Sequence, residues 1–168
     1  EFPQYHFLDM GTVVPTRSIT TAAGQHELYD RRRAAGLAIA TAPLIGIMED
    51  RAPPRRTWAS EAMRLHAAVD AGVIGGAIEC AATDVLNWAF YACDFSRYGL
   101  PFESGPRRWI SDVNVSYKRK MIDQTRDIWN KQFNEALVHW ALAGRGETLY
   151  LSSDLVVEHQ GQIVRGLG

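Results

Sequence analysis

Two adjacent carboxylates, Glu49 and Asp50, end the apolar run Pro43-Leu44-Ile45-Gly46-Ile47-Met48 and are followed by Arg51 and the turn Ala52-Pro53-Pro54. A run of this kind reads as a buried strand, and it delivers both acids to one edge of a sheet. That edge is where α/β folds bind ligands. The plainer alternative is that two acids at a strand end are solvated turn residues. Other positions offer ionisable groups in suggestive settings. Asp112 lies in Ile-Ser-Asp-Val-Asn-Val-Ser-Tyr (110–117), where Val113, Val115 and Tyr117 alternate with Asp112, Asn114 and Ser116. Glu135 lies near the start of a helical stretch, 130–143, with Phe133, Leu137 and Trp140 on one face. The 100° step per residue turns Glu135 away from that face. His159 follows a short apolar strand, and Arg33 closes the cluster Arg31-Arg32-Arg33.

The elements that must position these groups alternate along the chain. A helix is expected over 25–42, with Leu28, Arg32, Ala35 and Ile39 at helical spacing and Pro43 as its stop. The strand 43–48 follows, then a helix whose buried stripe is Trp58, Ala62, Leu65 and Val69 and which Gly72 closes. Residues 73–79 (VIGGAIE) read as an internal strand, and Asp84 opens a helix containing Asn87, Trp88, Phe90 and Tyr91. The Gly-, Pro- and Arg-rich stretch 95–108 reads as a functional loop, and 110–117 as a half-exposed strand. Helices over 118–127 and 130–143 and short strands over 148–151 and 155–158 complete the chain, and 4–10 is a short opening strand. This alternation predicts an α/β fold with a mainly parallel or mixed sheet covered by helices, the strand 44–48 central within it.

Composition narrows the function classes. The 168 residues, 46% hydrophobic and 22% charged, suit one globular domain with a substantial core. A net charge of -1 gives no electrostatic reason to expect nucleic acid. Cys80 and Cys93 lack the spacing of a zinc site or disulfide framework and are expected to be reduced and buried. No window approaches the ~18 consecutive apolar residues of a membrane helix, and no signal-peptide pattern opens the chain, so a cytoplasmic location, at most at a membrane surface, is expected. Gly75-Gly76 lies inside a strand rather than between strand and helix, which argues against a dinucleotide fingerprint.

Several motifs, taken in order, resemble the family 2 glycosyltransferases of the GT-A fold: Arg33-Ala34-Ala35-Gly36-Leu37, Glu49-Asp50-Arg51-Ala52-Pro53, Trp58, Gly75-Gly76-Ala77-Ile78-Glu79, Asn114-Val115-Ser116-Tyr117-Lys118-Arg119, Phe133-Asn134-Glu135, Gly144-Arg145-Gly146 and Val156-Val157-Glu158-His159. The resemblance spans roughly 25–160 and implies transfer of a sugar from a nucleotide-sugar donor to a hydroxyl of a glycan, lipid or other acceptor, with inversion, as in polysaccharide biosynthesis. It implies Mg²⁺ or Mn²⁺ across the donor diphosphate, held by Glu49, Asp50 and His159, because oxygen ligands suit hard cations. Arg33, Glu49, Asp50 and Arg51 are the implied nucleotide-sugar contacts. Arg51 stands where the family carries a further acid; a guanidinium can contact phosphate directly, which puts metal dependence in question. Glu135 is the implied general base, with Asp112 next in line. Glu135 can equally be a helix-surface acid paired with Lys131 or His139, and Arg33 a surface cation. Trp109, amid Pro106, Arg107 and Arg108, is the tryptophan best placed to stack on a sugar, with core packing the alternative.

The family's first β-α unit has no counterpart before Arg33, and the chain opens Glu1-Phe2-Pro3 without methionine. A partial GT-A-like domain over 1–168 is therefore expected, with a non-catalytic binding or scaffold domain carrying an incomplete donor site as the alternative.

Overall fold

The structure, a computed structural model, describes residues 7–161. Residues 4–6 of the expected opening strand lie outside them, and Phe7–Met10 takes no regular form. Helix α1 (Ala22–Ile39) begins where the Thr21 side chain accepts the Gly24 N–H. It buries Gly24, Glu27, Ala34 and Leu37 rather than the expected Leu28, Arg32, Ala35 and Ile39, and Arg32 and Ile39 are exposed. The physical reason is polar: the Glu27 carboxylate accepts the backbone N–H groups of Thr16 at 2.8 Å and Arg17 at 3.1 Å and meets Arg31 at 2.9 Å. Those bonds fix the helix's rotation, and an alanine-rich face does not resist it.

Strand β1 (Leu44–Met48) leads to α2 (Trp58–Ala68), which buries Trp58, Ala62 and Leu65 of the expected stripe together with His66, while Val69 is its half-buried C-cap. Then come β2 (Val73–Cys80), α3 (Val85–Asp94, capped by Asp84), a 3-10 turn (Ser96–Tyr98) and the two-residue β3 (Gly105–Pro106). Strand β4 (Asn114–Lys118) is followed by α4 (Arg119–Gln124) and α5 (Arg126–Trp129), two short helices where one was expected. The break is at Thr125, whose buried hydroxyl bonds back to the Met121 carbonyl. Helix α6 (Glu135–Gly144) and β5 (Leu149–His159) end the described chain.

The sheet order is β1-β4-β2-β5-β3, and only β2 and β5 run parallel. Of the mainly parallel or mixed sheet expected, the structure has the mixed form; the central placement of 44–48 is corrected, since β1 is an edge strand among the described residues, paired only to antiparallel β4. Its Ile45 and Ile47 are buried while Met48 is exposed, so burial alternates along the run, and Gly46 leaves room for the Trp58 ring, which a Cβ there would meet at 2.7 Å. Strand β4 is corrected in the opposite sense. Asn114 and Ser116 are as buried as Val115 and Tyr117, because the strand sits between two neighbours under covering helices.

Burying Asn114 requires partners for its amide, and it has three. Its Oδ1 accepts the Trp58 indole N–H at 2.8 Å, and its Nδ2 donates to the carbonyls of Ala77 at 2.8 Å and Leu155 at 2.9 Å. The Leu155 carbonyl is free to turn inward because the β2–β5 register jumps there. Gly76 faces Ser152 and Ala77 faces Val156, leaving Ser153, Asp154 and Leu155 out of the ladder. The close approach demands Gly76, since a Cβ there would sit 1.9 Å from the Leu155 oxygen. The two short strands expected at 148–151 and 155–158 are therefore one strand with an irregularity in its middle. Met48 faces Asn114 and Cys80 faces His159, so the C-terminal ends of β1, β2 and β5 share an edge with the start of β4.

Replacing Asn114 with Ala strands one indole donor and two carbonyls in the core. At roughly 1–3 kcal/mol for each unsatisfied group, part of it relieved by water or relaxation, Asn114→Ala is expected to lower unfolding free energy by about 3–5 kcal/mol in urea titration. A loss under ~1 kcal/mol would mean that the register jump does not depend on this amide.

Candidate functional site

At the shared strand edge, the chain leaving β1 crosses to the end of β5. Arg55 N–H bonds to the Val156 carbonyl, Glu158 N–H to Pro53, and Gln160 N–H to Arg51, at 2.8–3.1 Å. This lacing brings Glu49 and His159 together, with Oε2 3.4 Å from Nε2, while Phe95 packs its ring 4.7 Å from the imidazole. The convergence of Glu49 with His159 expected from sequence is present. His159 Nδ1 accepts the Gly161 N–H at 3.1 Å, so in the neutral ring Nε2 carries the proton and faces the carboxylate. The contact is within ion-pair distance but lacks hydrogen-bond geometry, leaving Glu49 Oε2 buried without a hydrogen bond. His159 holds the Glu49 carboxyl below its ordinary range against the opposing effect of burial, with Arg33 and Arg51 adding to the lowering.

Asp50 stays apart from this pair. It is exposed on the turn and has no ion pair or side-chain hydrogen bond among the described residues. Arg51 is half-buried, and its Nε is buried without a hydrogen bond.

A second ion pair lies beside the first. Arg33 Nη1 meets Asp112 Oδ2 at 2.5 Å and Asp30 Oδ1 at 3.7 Å, joining α1 to the turn before β4. Asp30 also accepts from Gln132 at 2.9 Å, and its carbonyl takes the Phe133 N–H, so the same turn of α1 anchors the approach to α6. Burial pushes the Asp112 carboxyl up to about 6; Arg33 opposes the rise, and Glu135, Glu49 and Asp30 add to it. Arg33 is thus an ion-pair partner at the site rather than a free surface cation.

Glu135 is the first residue of α6, whose N-cap Asn134 accepts the Leu137 N–H at 3.2 Å. A carboxylate is favoured there by the helix dipole. The expected apolar face of this helix is corrected: it buries Val138, His139 and Leu142, and leaves Leu137 48% and Trp140 55% exposed, with Phe133 buried ahead of the helix. The rotation is set by His139, whose Nε2 lies 2.7 Å from the buried Tyr117 hydroxyl of β4. His139 is therefore no surface partner for Glu135. Desolvation lowers the His139 imidazole to about 4, and burial, reinforced by Asp112 and Glu135, raises the Tyr117 hydroxyl. Sequence patterning did not single out Tyr98, which burial first, and then Glu135 and Asp112, push upward.

The assembled site joins Glu49 and His159, Arg33 and Asp112, and places Glu135 within electrostatic reach. Among the described residues no group of three or more His, Cys, Asp and Glu side chains is disposed to hold a metal ion, and Glu49 with His159 offers two donors. No helix in them is long and apolar enough to cross a membrane. No protein-family model matches the sequence, and no curated protein matches it.

Two pH-linked outcomes follow from these environments. In a ¹³C carboxyl titration Asp112 is expected to show a midpoint near 6, moving up in Arg33→Met and down in Glu135→Gln, because the first removes a lowering charge and the second a raising one. An ordinary midpoint near 4 would place that carboxyl in solvent. His139 acts on stability: between about 6.5 and 4 the unfolded ring takes a proton that the native ring refuses, so its contribution is complete above 6.5 and lost toward 4. Asp112 opposes this below 6, since its raised pKa lets the native state bind a proton first. Subtracting a His139→Gln variant isolates the histidine: the wild-type advantage is expected to shrink by about 3 kcal/mol from pH 7 to 4 in denaturant titrations. A pH-independent difference would show that the imidazole is solvated.

Proposed function

We propose that this chain carries the donor and catalytic site of an inverting glycosyltransferase of the GT-A type, moving a sugar from a nucleotide-sugar donor to an acceptor hydroxyl. One observation carries the reading. Arg33, Glu49, Asp112 and His159, distant in sequence, pair up at the edge where β1, β2 and β5 end, with Glu135 within electrostatic reach of Asp112. In this reading Glu135 accepts the proton of the acceptor hydroxyl as that oxygen attacks the anomeric carbon. The bond from that carbon to the diphosphate breaks, and the nucleoside diphosphate leaves with the electron pair. Arg51, with a buried Nε lacking a hydrogen bond, supplies a donor for a phosphate oxygen.

Glu49 Oε2, buried with no hydrogen bond and only the His159 ring within ion-pair distance, fits a role in cation binding, and Mg²⁺ is commonly held by one or two protein carboxylates plus phosphate oxygens and water. Glu49 and His159 would hold a Mg²⁺ or Mn²⁺ ion, which when bound neutralises diphosphate charge. His159 Nε2 would serve only in the other neutral tautomer, with the proton on Nδ1 and the Gly161 N–H contact given up. Asp50 in its exposed position supports a ribose or solvent-side contact better than a share in that ion.

A non-catalytic scaffold is the second reading. The Arg33–Asp112 contact favours it, because each group already satisfies the other. Turnover decides between them. With a panel of nucleotide sugars and Mn²⁺, a donor at 100 times its dissociation constant is expected to add about 2.7 kcal/mol of stability in thermal-shift assays. Glu135→Gln is then expected to reduce kcat at least ~100-fold with donor affinity nearly unchanged. Undiminished turnover would move the base to Asp112, and donor binding without turnover by the wild type would favour the scaffold.

A further inference from the structure

Helix α3 is apolar and largely uncovered. From Val85 to Cys93 it has no charged residue, yet Tyr91 alone is buried, its hydroxyl donating to the Ile78 carbonyl at 2.7 Å. Val85 is 86% and Trp88 52% exposed, Leu86 and Phe90 are exposed with them, and Cys93, expected to be buried, is exposed as well. A helix apolar on every side is ordinarily a buried one. The 100° step per residue sets Val85, Ala89 and Ala92 opposite the Tyr91 side, with Trp88 on one flank and Leu86 and Phe90 on the other. Counting ~150–250 Å² for a whole aromatic side chain and less for an aliphatic one, this face exposes about 400 Å² of apolar surface. That reaches the size at which a surface patch marks a contact site, and two such faces with the alanines between them cover on the order of 1,000 Å², the threshold of a specific interface.

Charge at the two ends of the helix says how two copies would meet. Asp84 caps the N-terminus, where its carboxylate accepts from Asn87 and keeps lone pairs to spare. Arg97 lies past the C-terminus, exposed, 5.8 Å from the ring of its neighbour Tyr98 and without an ion pair among the described residues. Crossing two α3 helices antiparallel about a two-fold axis between Ala89 and Ala92 sets Ala89 of one against Ala92 of the other and brings each Asp84 toward the opposite Arg97. Parallel pairing would instead set like charges together. A bilayer fits this face less well, because an interfacial helix carries lysine or arginine along its polar side, whereas α3 has none and is bounded by the carboxylates of Asp84 and Asp94.

We infer that α3 is the interface of a symmetric homodimer, in which two copies of this chain pair antiparallel through Val85, Trp88, Ala89, Phe90 and Ala92, with Asp84 of each against Arg97 of the other. The inference is independent of the glycosyltransferase reading. An interface of this size makes a weak dimer, with a dissociation constant on the order of micromolar. Pairing also bears on the candidate site, because Phe95, the C-cap of α3, packs its ring 4.7 Å from the His159 imidazole.

Sedimentation velocity over roughly 1–100 μM protein is expected to show a monomer–dimer transition. Trp88→Glu is expected to weaken association at least ~10-fold, and since that side chain stands half outside the fold, far-ultraviolet circular dichroism should not change. Asp84→Asn, which keeps the helix cap, and Arg97→Gln are each expected to weaken it about 3-fold, the double variant no more than either alone. Register is read by oxidation: in a Cys93→Ser background, a mixture of Ala89→Cys and Ala92→Cys chains is expected to crosslink faster than either variant by itself. A chain that stays monomeric across this range, or a dimer indifferent to Trp88→Glu, would overturn the inference. So would binding of the wild type to phosphatidylcholine–phosphatidylglycerol vesicles that Trp88→Glu abolishes, which would assign the face to a bilayer. Crosslinking fastest within Ala89→Cys alone, or additive losses in the charge variants, would overturn the antiparallel pairing.

Discussion

The side-chain amide of Asn114 is the constraint on which the rest of the arrangement depends. A buried amide must use its donors and acceptor or lose several kcal/mol. Here it spends them on three elements at once, reaching α2 through Trp58, β2 through the Ala77 carbonyl and β5 through the Leu155 carbonyl. The β2–β5 ladder skips where the amide takes two carbonyls, and the absence of a Cβ at Gly76 leaves room for the skip. Beyond it the strands resume in register as far as Cys80 and His159, so the position of His159 at the sheet edge follows from an interaction deep in the core.

Charge at that edge is balanced by scarcity. Arg33 acts on both Asp112 and Glu49, and Arg51 on Glu49, while Asp30 and Glu135 raise the cost of ionising Asp112. Acids outnumber cations. A doubly charged phosphate ester approaching such a site meets repulsion unless cationic charge accompanies it, which is the electrostatic argument for a divalent ion in the proposed donor site and for Arg51 as its partial substitute. The same scarcity gives Asp112 and Glu135 different characters. Asp112 is locked by Arg33 and largely desolvated, whereas Glu135 stands half-buried at a helix N-terminus.

Much of this order was legible in the sequence, and what was not has identifiable causes. The Trp58, Ala62 and Leu65 stripe could be read because large and small apolar groups recur with the helical period, and the buried His66, bonded to Ser116, sits beside the stripe without turning it. Glu49 could be placed at the C-terminal end of its strand because an apolar run followed by Pro53-Pro54 leaves little choice. The pairing of β1 escaped notice since an apolar run does not say whether both of its faces are covered, and Gly46 and Met48 pass equally as core or surface. In α1 and α6 the buried polar residues Glu27 and His139 set the rotation, through the Thr16 and Arg17 amides in one case and Tyr117 in the other. A hydrophobic pattern counts such residues as solvent-facing and so rotates the helix wrongly. Asp50 and Glu49 are indistinguishable by composition, and only the lacing of 51–55 onto β5 separates the half-buried acid from the exposed one.

The Arg33–Asp112 pair is weak evidence for stability. Desolvating two charges is rarely repaid by their attraction, and an apolar pair of similar volume commonly does as well or better. The fold nevertheless holds Asp112 in surroundings that drive its carboxyl toward neutrality and sets three further carboxylates around it. Structural needs alone do not call for this, because the Asp30–Gln132 and Phe133–Asp30 bonds already join α1 to the approach to α6. In the proposed reaction such a carboxyl, balanced between its two forms near pH 6, would change state for a small perturbation. A ligand bringing its own negative charge to Arg33 would loosen the pair, raise the Asp112 pKa further and favour its neutral form, leaving Glu135 as the carboxylate able to accept a proton.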